Sequence, residues 1–205
     1  MELRIDNLAV ARGGVTVLEG VGCALTEGQA MVLRGPNGVG KTTLLRTVAG
    51  LQPAVAGTVS LPPESLAYAG HADGVKATLS VAENLRFWAE VHGLRAIDPA
   101  LQAMNLTGLR DRRAGSLSAG QRRRLGLARL MVTGRAVWLL DEPTVSLDAG
   151  SVALFAAMLR AHLARRGMAL IATHIELGLE EAQVLDLTPF IARSTPQGAF
   201  DEAFA

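Results

Sequence analysis

Over the first 28 residues, apolar and polar positions alternate with the two-residue period of half-buried strands. Residues 3–10, 15–18 and 21–25 are predicted as antiparallel strands, with turns at Gly13-Gly14 and Glu27-Gly28. The pattern then changes. Residues 30–34 are a short apolar run of the kind a fully buried strand shows, and residues 41–50 place Leu44, Leu45 and Val48 on one side of a helix. Residues 58–61 and 66–69 are further short strands, and residues 70–78 have no period and are predicted as a loop. From residue 79 to about 132 the period is helical. Ser80 caps a helix carrying Val81, Leu85, Trp88 and Ala89, with Glu83 as capping-box partner. Asp98 is placed as a cap with Pro99 at the first helical position, and Ser118 with Gln121 forms a second capping box opening a helix through Leu125, Leu127, Ala128 and Met131. Strands return at 137–140 and 169–172, separated by a helix over 150–165, with a last strand at 184–187. Strands alternating with helices predict an α/β fold with a mainly parallel sheet, an antiparallel β-subdomain, and a helical insert at roughly 72–132, all in one domain spanning 1–205.

Composition narrows what such a domain does. A net charge of +1 gives no field for nucleic acid or a charged membrane surface, and 4% aromatic residues give no base-stacking platform. No nucleic-acid partner is expected. Cys23, the single cysteine, cannot close an intrachain disulfide and suits a reducing compartment. No apolar run approaches the roughly 18 residues that span a bilayer. The start, Met1-Glu2-Leu3-Arg4, lacks the basic stretch of a secretory signal. The chain is expected in the cytosol or on the cytosolic side of a membrane.

Against this background one stretch carries chemistry. Gly35-Pro36-Asn37-Gly38-Val39-Gly40-Lys41-Thr42-Thr43 fits G-x-x-x-x-G-K-[ST] between a predicted strand and a predicted helix. The glycines let backbone N–H groups close around phosphate oxygens, and the helix N-terminus adds partial positive charge. Lys41 is placed to reach the β- and γ-phosphates of ATP, and Thr42 to ligate Mg2+. The basic residues are 18 Arg and two Lys, Lys41 and Lys76. In so arginine-rich a chain, a lysine at 41 fits the need for a compact point charge. The apolar run 136–140 ends in Asp141 and Glu142, which a parallel strand delivers beside the phosphate loop. Asp141 is assigned to Mg2+, and Glu142 to polarising the attacking water as general base.

Leu117-Ser118-Ala119-Gly120-Gln121 resembles the LSGGQ signature of ATP-binding-cassette (ABC) ATPases, with Ala119 where that pattern has Gly. The resemblance implies a P-loop NTPase fold of the ABC type over nearly the whole chain. It implies that Ser118 and Gly120 contact nucleotide across a head-to-tail homodimer. It assigns His174, in Ala172-Thr173-His174, to the γ-phosphate, and Asp148, in Val145-Ser146-Leu147-Asp148, to the dimer-facing loop. The alternative reading of Ser118 and Asp148 is plain helix capping.

Two positions depart from the family. Arg12 stands where an aromatic residue normally stacks on adenine, and its guanidinium plane can stack instead. His71 stands where the Q-loop glutamine meets the metal, and is taken as a metal ligand in its place. A short chain with these departures, Gly70-His71 with Gly74 and Lys76, and arginines after the signature is similar to the ATPase subunits of cytochrome c biogenesis, a haem-exporter group. That similarity implies a peripheral protein on the cytoplasmic face of the inner membrane, an integral membrane permease subunit (CcmB-like), and further cytochrome c maturation proteins. His92 and His162 sit on predicted helices among polar neighbours and are expected to be solvated. An ATPase of another importer or exporter is the alternative; a soluble ABC protein or a P-loop kinase would need an insertion, a second cassette or a lid.

Overall fold

The computed structural model describes residues 1–62, 64–179 and 181–193. The end of the expected 1–205 domain, residues 194–205, lies outside the described residues. Two sheets organise the chain. Strands β1 (Glu2–Arg12), β2 (Val15–Thr26) and β4 (Ala56–Ser60) make an antiparallel sheet in the order β2-β1-β4. Strands β3 (Ala30–Arg34), β5 (Leu66–Ala69), β6 (Val137–Asp141), β7 (Met168–Ala172) and β8 (Gln183–Asp186) make a parallel sheet in the order β5-β6-β7-β3-β8.

The parallel strands read as unbroken apolar runs because both faces are covered, and alternate residues of each run enter different cores. Val137 and Leu139 of β6, with Met168 and Leu170 of β7, face the antiparallel sheet and helix α1 (Lys41–Val48), whose Leu44 and Leu45 are fully buried there. Trp138 and Leu140, with Ala169 and Ile171, face the opposite core. That second core is covered by α5 (Ala149–Ala164) and by an insert between β5 and β6: α2 (Val81–Val91), α3 (Asp98–Ala103), two short 3-10 turns, and α4 (Ala119–Met131). Fully burying one such Leu or Ile is worth about 1.5–3 kcal/mol. Ser80–Glu83 and Ser118–Gln121 form the two expected capping boxes, with Ser80 Oγ accepting from Glu83 N at 3.2 Å and Ser118 Oγ accepting from Gln121 N at 3.2 Å.

Three local expectations are corrected. Val15–Thr26 is one continuous strand, because the break at Glu19-Gly20 is absorbed as a bulge opposite Ala9. The strand expected at 58–61 begins at Ala56 and joins β1, and Gly57 is required there: at φ +80°, a Cβ would lie 2.3 Å from the carbonyl oxygen of Asn7. Asp98 does not cap α3. Ile97 holds that position, and the Asp98 carboxylate instead pairs with Arg110.

Candidate active site

Three strand ends meet at one edge of the parallel sheet. Residues 35–40 leave β3, Glu142 follows β6, and Thr173-His174 follow β7, which lies between β3 and β6. Ligand sites of parallel α/β sheets form at this edge. Gly40 sits at φ +118° as the N-terminal cap of α1 and offers no side chain to the helix N–H groups, which stay available to an anion. A Cβ on Gly40 would come within 3.1 Å of Leu18, so β2 closes this turn from behind. The Lys41 ammonium rests on the carbonyl oxygens of Gly35 (2.8 Å) and Pro36 (3.3 Å), curling the loop around itself. Burial lowers its pKa, while the charges of Glu142 and Asp141 act to raise it.

Asp141 is 1% exposed, and its carboxylate is shared between two hydroxyls. Thr42 Oγ1 donates to Oδ1 at 3.0 Å, and the Tyr68 phenol donates to Oδ2 at 3.2 Å. Burial, and then the Asp141 charge, push the Tyr68 phenol up to about 12, so it remains a donor. His71 is brought to the same carboxylate, its Nε2 4.0 Å from Oδ2, on a largely exposed side chain. A buried carboxylate beside a hydroxyl is a hard oxygen set suited to Mg2+. Among the described residues no three His, Cys, Asp or Glu side chains are grouped so as to hold a metal ion.

Glu142 donates its N–H to Ala172 O at 2.8 Å and then leaves the sheet at φ +49°. For a residue with a Cβ this is strained by about 1–3 kcal/mol, and it aims the side chain away from Asp141. The carboxylate lies 3.5 Å from His174 Nε2. Arg34 steadies that histidine's loop by donating to Thr173 O at 2.9 Å and pairing with Glu176 at 2.8 Å. Arg12, Asn37, Gly38, Gly40, Lys41, Thr42, Thr43, Glu142 and His174 line one cavity of about 200 Å³. Its contents are one basic loop, one carboxylate–histidine pair and one exposed guanidinium, the set a phosphate ester with an attacking water would use.

Ser118, Gly120 and Asp148 are not brought to this cavity. Ser118 caps α4 on an exposed corner, and Asp148 caps α5 by accepting from Ser151 N at 2.7 Å, which also lowers its carboxyl pKa. Ala119, with His71, Val145 and Ser146, borders a separate cleft of about 170 Å³. Lys76 lies over the Phe87 ring at 4.9 Å, outside the phosphate site. His92 and His162 correct the expectation of solvated rings: His92 stacks on Trp88 at 6.4 Å, and His162 on Trp138 at 3.7 Å with its Nε2 facing the backbone carbonyls of Ala136 and Met168. Tyr68, Arg34 and Arg123 are site residues that sequence reading misses; only the run of arginines after Gln121 hints at the last.

The family model of ABC transporters matches residues 18–145. The chain is 66% identical over 206 residues to the cytochrome c biogenesis ATP-binding export protein CcmA of Rhodobacter capsulatus, covering 98% of this chain and 96% of that protein. It is also 66% identical to the protein of that name from Paracoccus denitrificans, with 98% of each chain covered. Among solved structures it resembles an ABC transporter ATP-binding protein from Pyrococcus furiosus, with a TM-score of 0.84, 25% identity, and coverage of 94% of this chain and 100% of that one.

Proposed function

The chain belongs to the ABC transporter family as an ATP-binding subunit and ATPase, and from that premise we propose that it powers export in c-type cytochrome biogenesis, in a haem-exporting or haem-handling complex. The full-length relatives carry that name, and the cavity where Lys41, Thr42, Glu142 and His174 converge supports the chemistry. No helix among the described residues is long and apolar enough to cross a membrane. A membrane permease subunit (CcmB-like) therefore supplies the path, with this chain on the cytoplasmic face of the inner membrane and further maturation proteins around it. The exposed apolar side chains of α2, Phe87 and Val91, offer that permease a surface.

In the proposed cycle the α1 N-terminus and Lys41 hold the β- and γ-phosphates, and the Arg12 plane lies against adenine. Thr42 and Asp141 would hold Mg2+, with His71 beside them; bound there, the ion offsets charge on the transferring phosphoryl group. Glu142 polarises the attacking water, and His174 orients both its carboxylate and the γ-phosphate. Ser118, Gly120 and Asp148 complete the site from a second copy, head to tail.

Glu142→Gln tests this reading. The variant should bind ATP, hydrolyse it about 10²–10⁴-fold more slowly, and run as a dimer with ATP on gel filtration. In a strain lacking its own copy of the relative, the wild-type chain should restore haem-stained c-type cytochromes and Glu142→Gln should not. Full turnover, or full restoration by the variant, would overturn it.

A further inference from the structure

Arg123 is a charged residue only 5% exposed on the signature helix α4, and the steps above do not use it. Its guanidinium joins two loops that the chain separates by some 70 residues. Nε donates to Pro143 O at 3.0 Å and Nη2 to Glu142 O at 2.7 Å. Nη1 donates to Gly70 O at 2.9 Å and to Asp73 Oδ1 at 3.0 Å, the second contact also neutralising the buried charge. A planar fork with donors on three nitrogens can serve both loops at once; a lysine ammonium is a single point and cannot.

Each end of this bridge is under constraint. Glu142 is the residue held at φ +49°, and the carbonyls that Arg123 grips are its own and that of the next residue. The other end, residues 70–76, is pinned to the helical insert. Trp88 Nε1 donates to Gly74 O at 3.4 Å, and Asn84 brackets Lys76 by accepting from its N–H at 2.8 Å and donating to its carbonyl at 3.0 Å. Gly126 lets α4 lie directly on Asp73, where a Cβ would come 2.9 Å from the carbonyl oxygen.

We propose that Arg123 is the positioning residue for Glu142: its guanidinium ties the backbone from which that carboxylate projects to residues 70–73, so a shift of the loop moves the carboxylate and sets turnover without loosening nucleotide. This rests on the reading of Glu142 as general base. A displacement of about 1 Å at a reacting group is enough to cost on the order of 10²-fold in rate.

The test is a double-mutant cycle on the full chain, in its membrane complex where the chain alone turns over too slowly to measure. Arg123→Lys should lower kcat by about 10–100-fold, with KM and the affinity for a fluorescent ATP analogue little changed. Added to Glu142→Gln, the same substitution should cause little further loss, because both act through one carboxylate. Unchanged kcat in Arg123→Lys, or losses that multiply in the double variant, would overturn the proposal. Wild-type turnover in Glu142→Gln alone would overturn the general-base reading, and is seen without any Arg123 variant. Should Arg123→Lys lose nucleotide affinity, Asp73→Asn replaces it: reduced kcat at unchanged affinity supports the proposal, and unchanged kcat overturns it.

Discussion

His162 stacks on Trp138 with ring centroids 3.7 Å apart and planes 8° from parallel, while its Nε2 lies 3.1 Å from Ala136 O and 3.3 Å from Met168 O. Burial pushes its pKa below the ordinary 6.5, and the two carbonyl contacts pull the other way. The folded chain therefore favours the neutral ring, and the unfolded chain protonates first as pH falls. Between 6.5 and the lower folded value the unfolded state holds more protons, so stability is complete above about pH 6.5 and declines as pH drops below it. His92, lowered by burial and then by Arg135, adds to the same trend. Ordinary carboxylates titrate near ~4, below this window. The thermal midpoint of the wild type should fall between pH 7.5 and pH 5.5, and His162→Phe, which keeps a ring on Trp138, should fall less; equal losses would remove His162 from the account. Sequence alone misplaces this residue because what buries it, the Trp138 ring of β6 and the Ala136 carbonyl just before that strand, lies about two dozen positions away along the chain. Tyr68 and Arg123 are hidden for the same reason. Tyr68 meets Asp141 across 73 positions, and Arg123 meets Gly70 across 53. Asp141, Glu142 and His174 are legible because each stands at or just past the end of a strand whose apolar run announces where that end falls, and Lys41 and Thr42 because a glycine-rich loop joins such a strand to the helix they open.

At the scale of elements, what can be read from sequence depends on how completely a segment is buried. Strands β3, β6 and β7 are covered on both faces and stand out as short apolar runs bounded by polar turns. Strand β2 is half exposed, and its bulge at Gly20 is indistinguishable in sequence from a turn. The start of α3 is misjudged because Asp98 has a tertiary partner, Arg110, that competes with capping. Helix α4 poses a sharper contest. Gly126 lies inside it, and Gly→Ala in a helix interior ordinarily gains about 1 kcal/mol. Here the added Cβ would meet Asp73 at 2.9 Å from both its Cβ and its backbone oxygen, and overpacking against backbone costs about 1–3 kcal/mol. The clash should win. Gly126→Ala is expected to lower the urea midpoint and to reduce ATPase turnover, since it pushes α4 off the loop that Arg123 grips. A raised midpoint would mean that residues 70–74 yield freely, and that the contact between α4 and this loop is loose.

For the whole molecule, the open question is what the exposed end of α4 serves. Ser118 is exposed, Gly120 is next to Ser146 of the following loop, and neither lines the cavity that holds Lys41 and Glu142. A helix N-terminus attracts anions, yet among the described residues the cavity at the phosphate loop does not reach this one. Two copies related by a twofold axis, each presenting its α4 end to the other's phosphate loop, would close both sites at once and leave no open surface for further growth. Ser118→Arg tests this arrangement. The new side chain is long and cationic, and would stand where the partner's phosphate loop must approach. In the Glu142→Gln background with ATP, the Ser118→Arg protein should stay monomeric on gel filtration, while its single-chain ATP affinity stays within about threefold, a difference under 1 kcal/mol. The substitution also removes the cap on Gln121 N, which by itself costs about 0.5–2 kcal/mol of stability. Ser118→Ala is the control for that loss: it deletes the cap without adding bulk, and should still dimerise. If both variants stay monomeric, the capping box is what dimerisation requires; if Ser118→Arg dimerises as Glu142→Gln does, the α4 end does not face a second copy.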